Sequence, residues 1–104
     1  MTDLREKLRG DIQAVEAAAL VPHHHRGALF ILDVQSDLLE VAMAIAGDDA
    51  SAIEGLVRDQ RLRRPSLGEL ADWCVDLELR FQFVILQPYV LAQPIAKPPK
   101  PPSN

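Results

Sequence analysis

The sequence predicts an α+β domain, with two main β-strands at residues 28–33 and 81–93 packed with about four α-helices in the order α-β-α-α-α-β. The run FQFVILQPYVLAQ at 81–93 carries large apolar residues at both parities, so a strand there wants cover on both faces. The run ALFIL at 28–32, ending at Asp33, reads as a short buried strand. Between these runs, Asp37 with Glu40 and Ser66 with Glu69 have the spacing of helix capping boxes.

Thr2 caps a first helix, on which Leu4, Leu8, Ile12 and Val15 recur at helical spacing. Gly10 weakens it by about 1 kcal/mol relative to Ala. Pro22 closes the segment, and His23, His24, His25, Arg26 and Gly27 form a polar connection. The helix opened by Asp37 spans 38–46 with Glu40 as its one charge. A helix apolar on every side is expected to be buried on every side. Gly47 stands where a left-handed C-terminal residue belongs.

Asp48, Asp49 and Ser51 start the next helix, with Ile53, Leu56 and Val57 as its apolar stripe. Pro65 blocks its continuation. Ser66 opens the last helix, whose expected core face is Leu67, Leu70, Ala71 and Cys74, with Trp73 beside it. A short extra strand near 62–64 is compatible with the pattern. Pro88 lies inside the final strand and marks an edge or a bulge.

A chain of 104 residues holds one domain, placed at 2–93. Residues 94–104 include Pro94, Pro98, Pro99, Pro101, Pro102, Lys97 and Lys100 and predict a disordered tail. Removal of residues 95–104 is expected to change stability by less than about 0.5 kcal/mol. The chain has 15 acidic and 11 basic residues; the tail holds two of the bases, leaving 2–93 with 15 against 9, a net of −6. That balance argues against nucleic acid and against anionic membranes as partners. No apolar run approaches the ~20 residues of a membrane span. A single cysteine and an N-terminus of alternating charge point to a reducing, cytoplasmic setting.

Residues of chemical type are present, but their patterns favour structural roles. His23, His24 and His25 are adjacent rather than spaced as zinc ligands are, so no metal site is expected. Asp33, Asp37, Asp48 and Asp49 lack the spacing of a calcium loop, and helix capping accounts for three of them. Cys74 sits on an apolar helical face without a neighbouring base and is expected to be buried. No nucleophile elbow, phosphate-binding loop or dinucleotide fingerprint occurs, and no cofactor is expected.

The phrases TDLREKL at 2–8, RGALF at 26–30, DLLEVAMAIAGDD at 37–49, LRRPSLGELADW at 62–73 and RFQFVILQPYVLAQ at 80–93 resemble those of a bacterial family, domain of unknown function 2288. The resemblance covers most of 2–93 in order. It implies a stand-alone bacterial cytosolic protein and brings no activity or site residues with it. Family members often carry a tryptophan near the position of Ala17.

The sequence therefore names no activity. The leading expectation is a non-catalytic accessory or protein-interaction domain, supported by the absence of an acid–base constellation and by excess apolar surface. The alternative is a small-ligand or anion-binding protein, with enzymatic action left open, using Arg61, Arg63, Arg64, Arg80 and Gln87. Two strands are too few for a free-standing sheet, and both faces of 81–93 need cover. A homodimer supplies both, with Phe83, Ile85, Tyr89 and Leu91 at the seam and Val41 and Ile45 as second choice.

Overall fold

The computed structural model describes residues 3–95. The expected tail beyond Ile95 lies outside the described residues. Pro94, placed in that tail by the sequence reading, ends a strand and pairs with Phe81.

The chain forms α1 (Leu4–Asp11), β1 (Gln13–Glu16), a 3-10 turn (Ala17–Leu20), α2 (Val21–His25), β2 (Leu29–Leu32), α3 (Leu38–Ala46), α4 (Ala50–Arg58), β3 (Leu62–Arg63), α5 (Leu67–Val75), β4 (Arg80–Leu86) and β5 (Tyr89–Pro94). The class is α+β as expected, but the sheet has five strands rather than two, in the order β1-β4-β5-β2-β3. β2 and β5 run parallel; the other neighbours are antiparallel.

Three local corrections account for the extra strands. The first helix stops at Asp11, because Ile12 is extended and residues 13–16 pair with β4, Val15 opposite Phe81. Ile12 and Val15 keep a helical spacing, yet tertiary pairing overrides it. The stretch 81–93 is a hairpin rather than one strand. Gln87 and Pro88 form its turn through a cis peptide bond, with Leu86 opposite Tyr89. Leu62 and Arg63 do form a short strand, antiparallel to Leu32 and Ile31. Pro22 opens a helix rather than closing one, since a first-turn proline gives up no intrahelical bond.

The capping signals mostly hold. Ser66 and Glu69 form a complete box on α5. Asp37 accepts from the N–H groups of Leu39 and Glu40, but the Glu40 side chain turns away to meet Arg5 at 2.5 Å. After α3 the left-handed residue is Asp48 (φ 55°), one position beyond Gly47.

Helices of this chain pack on both faces of the sheet. Val84, Leu86 and Leu91 face one way, into a core with Leu8 of α1, Leu38, Leu39, Val41 and Ala42 of α3, and half-buried Ile53 and Leu56 of α4. Phe81, Val90, Ala92, Leu29 and Ile31 face the other way, with Ala17, Leu20 and Trp73. The further strands that the sequence reading sought from a second copy come from this chain. α3 is buried along one side and partly exposed along the other, not buried all round.

On α5 the buried residue is Trp73, whereas Cys74 is exposed and Leu67 is 84% exposed. The helix is rotated from the expected face because the largest side chain takes the core position, its ring centroid 5.0 Å from that of Phe81.

Candidate functional site

At one end of the three-helix face the cover is incomplete. α3 ends at Ala46, and α1 and α4 border a groove of about 760 Å³ that runs down to the sheet. Leu4, Lys7, Leu8 and Asp11, at helical spacing, form the α1 wall. Ile53 and Val57 form the α4 wall, with Ile45 and Asp48 from the end of α3 and the turn after it. Phe30, Leu62, Leu86 and Leu91 make the floor. The hairpin turn, Ile85 to Tyr89, closes one end. Within the groove, Phe30 and Tyr89 meet edge to face with centroids 5.6 Å apart.

The groove is apolar below and charged at the rim, where Asp11 and Asp48 outnumber Lys7. Several residues beside it are large, apolar and exposed: Ile85 at 49%, Tyr89 at 44% and Val57 at 52%. A volume of this size falls within the range of small-molecule sites.

The opposite end of the sheet is sealed by polar contacts. Gln93 is buried, and its Nε2 donates to the carbonyls of Asp33 (2.7 Å) and Ser36 (2.6 Å). Its Oε1 accepts from Gln82 Nε2 at 2.7 Å. Ser36 Oγ donates to Asp33 Oδ1. This network ties the β2–α3 loop to β5, and no chemistry is needed to explain it.

The arginines do not gather into a pocket. Arg63 makes a two-pronged contact with Glu69, Nη1 to Oε1 at 2.6 Å and Nη2 to Oε2 at 2.8 Å. The Arg63 hydrogen bond holds the Glu69 carboxyl down to about 2, and the same bond raises Arg63. Arg64 donates to the Gly27 carbonyl at 2.9 Å and stacks over Phe30 at 4.8 Å from the ring centroid. Arg61 is exposed. Arg80 opens β4 and Gln87 lies in the turn beyond its far end, about 23 Å away along the strand.

The histidines sit in the last turn of α2, where consecutive side chains fan around the axis. Arg26 Nη2 donates to His23 Nδ1. Burial, and secondarily the Arg26 charge, lowers the His23 pKa. No group of three or more His, Cys, Asp or Glu able to hold a metal occurs among the described residues. Nor is any helix among them long and apolar enough to cross a membrane.

Of the expected seam residues, Ile85 and Tyr89 are exposed, Phe83 is half-buried and Leu91 is 1% exposed in the chain's own core. Of the second choices, Val41 is buried in α3 and Ile45 lines the groove. The groove itself escaped sequence reasoning, because Phe30, Leu62, Tyr89 and Val57 come from four separate elements. Exposed Val57 on an apolar stripe was the available signal.

Fold and site together define a single-sheet α+β domain with helices on both faces and an apolar groove at one end. The chain belongs to the family described as Protein of unknown function (DUF2288), whose model matches residues 3–94. The solved NMR solution structure of PA1075 from Pseudomonas aeruginosa is similar, at 30% sequence identity and a TM-score of 0.75, covering 93% of this chain and 90% of that one. No curated protein matches the chain.

Proposed function

We propose that this domain is a non-catalytic interaction module that receives an apolar, basic-flanked segment of a partner protein in the groove between α1, α4 and the β4–β5 hairpin. The observation that carries this reading is a division of labour. Arg63 and Arg64 are engaged in structural contacts, while exposed Ile85, Tyr89 and Val57 gather around one apolar depression. Contiguous exposed apolar surface marks interaction sites. The acidic rim and the −6 balance of 2–93 select a basic partner over an acidic one. A bacterial cytoplasmic setting fits this reading.

The test pairs two measurements. Proteins retained from the native host by the wild-type chain should be lost with Ile85→Asp and with Val57→Asp, and should bind in purified form. The same proteins retained by both variants would overturn the groove. A melting-temperature rise with phosphorylated metabolites or nucleotides, abolished by Arg63→Ala with Arg64→Ala, would favour anion binding instead. Sedimentation equilibrium at micromolar concentration reads self-association: a dimer lost with Tyr89→Asp would make a second copy the occupant.

A further inference from the structure

The two edges of the sheet are guarded unequally. β3, at one edge, is two residues long, is flanked by Arg61 and Arg64, and is followed at once by Pro65. Short length, charge and proline are the usual means of keeping another chain off a strand edge. β1, at the other edge, has four residues, QAVE, with no proline and no base, and Gln13, Ala14 and Glu16 are exposed. Ladder alternation fixes which backbone groups this edge offers. Gln13 and Val15 stand opposite Phe83 and Phe81, and the Ala17 N–H donates to the Leu79 carbonyl at 2.9 Å. The odd residues therefore bond to β4, and the even ones face outward. Two of the outward groups already have partners: the Ile12 N–H donates to the Arg9 carbonyl, and the Glu16 carbonyl accepts the first bond of the 3-10 turn.

Left without a partner among the described residues are the Ile12 C=O, the Ala14 N–H and C=O, and the Glu16 N–H. Along the strand these run acceptor, donor, acceptor, donor, a pattern that is its own complement when the strand is reversed. We infer that β1 pairs antiparallel with β1 of a second copy of this chain, about a twofold axis at Ala14. The two Ala14 residues exchange both N–H···O=C bonds, and each Glu16 N–H donates to the carbonyl of Ile12 of the partner subunit. Every free group is then matched. An axis at Val15 would leave the Ile12 carbonyl unmatched and ask a second bond of the Glu16 carbonyl. Side chains agree with the first register: the small Ala14 meets itself, Gln13 meets Val15 and Glu16 meets Ile12, so no like charges stand directly opposite. Self-complementarity is what an isologous twofold contact requires, which favours a second copy over an unrelated strand. The two five-stranded sheets become one of ten strands. Tyr89 and Phe30 stand on β5 and β2, inward of β4, so the dimer leaves the groove open and carries it twice. A partner with two segments would gain avidity from that arrangement, and this consequence alone rests on the reading of the groove as a protein-binding site.

Sedimentation equilibrium of the full chain tests the pairing. Between micromolar and submillimolar concentration the wild-type chain should shift from the chain mass toward twice that mass. Ala14 is exposed, so a charge placed there leaves the core untouched. Ala14→Glu and Ala14→Lys, each alone, should weaken dimerisation several-fold because like charges meet on the axis, and an equimolar mixture of the two should regain it as a heterodimer. Ala14→Pro removes the outward donor without touching a bond to β4 and should abolish the dimer. Should Ala14→Pro unfold, read as lost amide dispersion, the mixed-charge experiment decides alone. Hydrogen exchange gives a readout that needs no variant: the Ala14 and Glu16 amides should exchange more slowly as concentration rises. A single species at the chain mass throughout, or a dimer indifferent to the charge at position 14, would overturn the inference. So would a dimer that survives Ala14→Pro and is lost with Tyr89→Asp, which would move the seam to the groove. The partner experiment at the groove stands if this pairing fails, and a groove that captures no partner leaves the dimer result intact.

Discussion

On one face of the sheet a single large side chain, Trp73 of α5, closes the layer against Phe81, while on the other α1 and α4 border a groove at the hairpin end that no side chain of comparable size fills among the described residues. Both faces begin from the same strands, with β4 and β5 sending alternate residues each way. The difference lies in what the helices bring. α5 contributes an indole at its centre; α3 and α4 contribute Ile45, Ala46, Ile53 and Val57 near the hairpin, too small to span the gap. Closure therefore depends on a few side-chain volumes rather than on the number of helices. A face left open in this way keeps apolar surface available for binding.

Opening the closed face is the strongest way to break this contrast. Trp73→Ala should destabilise the domain by about 3–5 kcal/mol, the range for emptying a buried aromatic site, as read by urea unfolding. A loss below about 1 kcal/mol would mean that Trp73 does not close this face. Next comes the polar seal at the end away from the groove. Gln93→Leu keeps the volume but leaves the Asp33 and Ser36 carbonyls without their donor, and should cost about 1–3 kcal/mol. Amide exchange should rise first in residues 33–37 if the network holds that loop.

The surface pair beneath the arginine cluster should matter less and should depend on pH. The Glu69 carboxyl is held at about 2, below its ordinary 4.5, chiefly by the Arg63 hydrogen bond. A depressed carboxyl stabilises the fold above its unfolded value and loses that contribution as pH falls through the folded one. Arg63→Ala should therefore cost about 0.2–1 kcal/mol at neutral pH, and the gap from wild type should close toward pH 2. A pH-independent gap would show that the arginine stem, not the ion pair, is responsible. The smallest effect belongs to the open groove. Ile85→Asp, at a half-exposed site, should move stability by no more than about 0.5 kcal/mol while abolishing partner binding. A large fall in melting temperature would place Ile85 in the core of the fold and remove it as a probe of the groove.

Local signals in this chain were legible wherever a short range decides them. The Ser66–Glu69 capping box, the α3 start at Asp37 and the buried strand at ALFIL all depend on residues within a few positions, whereas α4 stops at Arg58, well before Pro65. The α+β class followed from them. Strand count did not, because β1 exists only through pairing with β4, and Pro88 divides β4 from β5 only once the chain turns back. The face of α5 was misjudged for a related reason: Leu67 and Cys74 fit an apolar stripe as well as Trp73 does, and only the space beside Phe81 chooses among them. Sequence by itself determined the starts of α3, α4 and α5, the two apolar runs and the acidic 2–93 with its basic, proline-rich end, but not α2 or the end of α1. Tertiary structure alone decided that Arg63 and Arg64 serve the fold and that Phe30, Val57 and Tyr89 share a groove. The physical reason is that capping and periodicity are properties of neighbours along the chain, whereas a groove is space left among elements that meet only after folding.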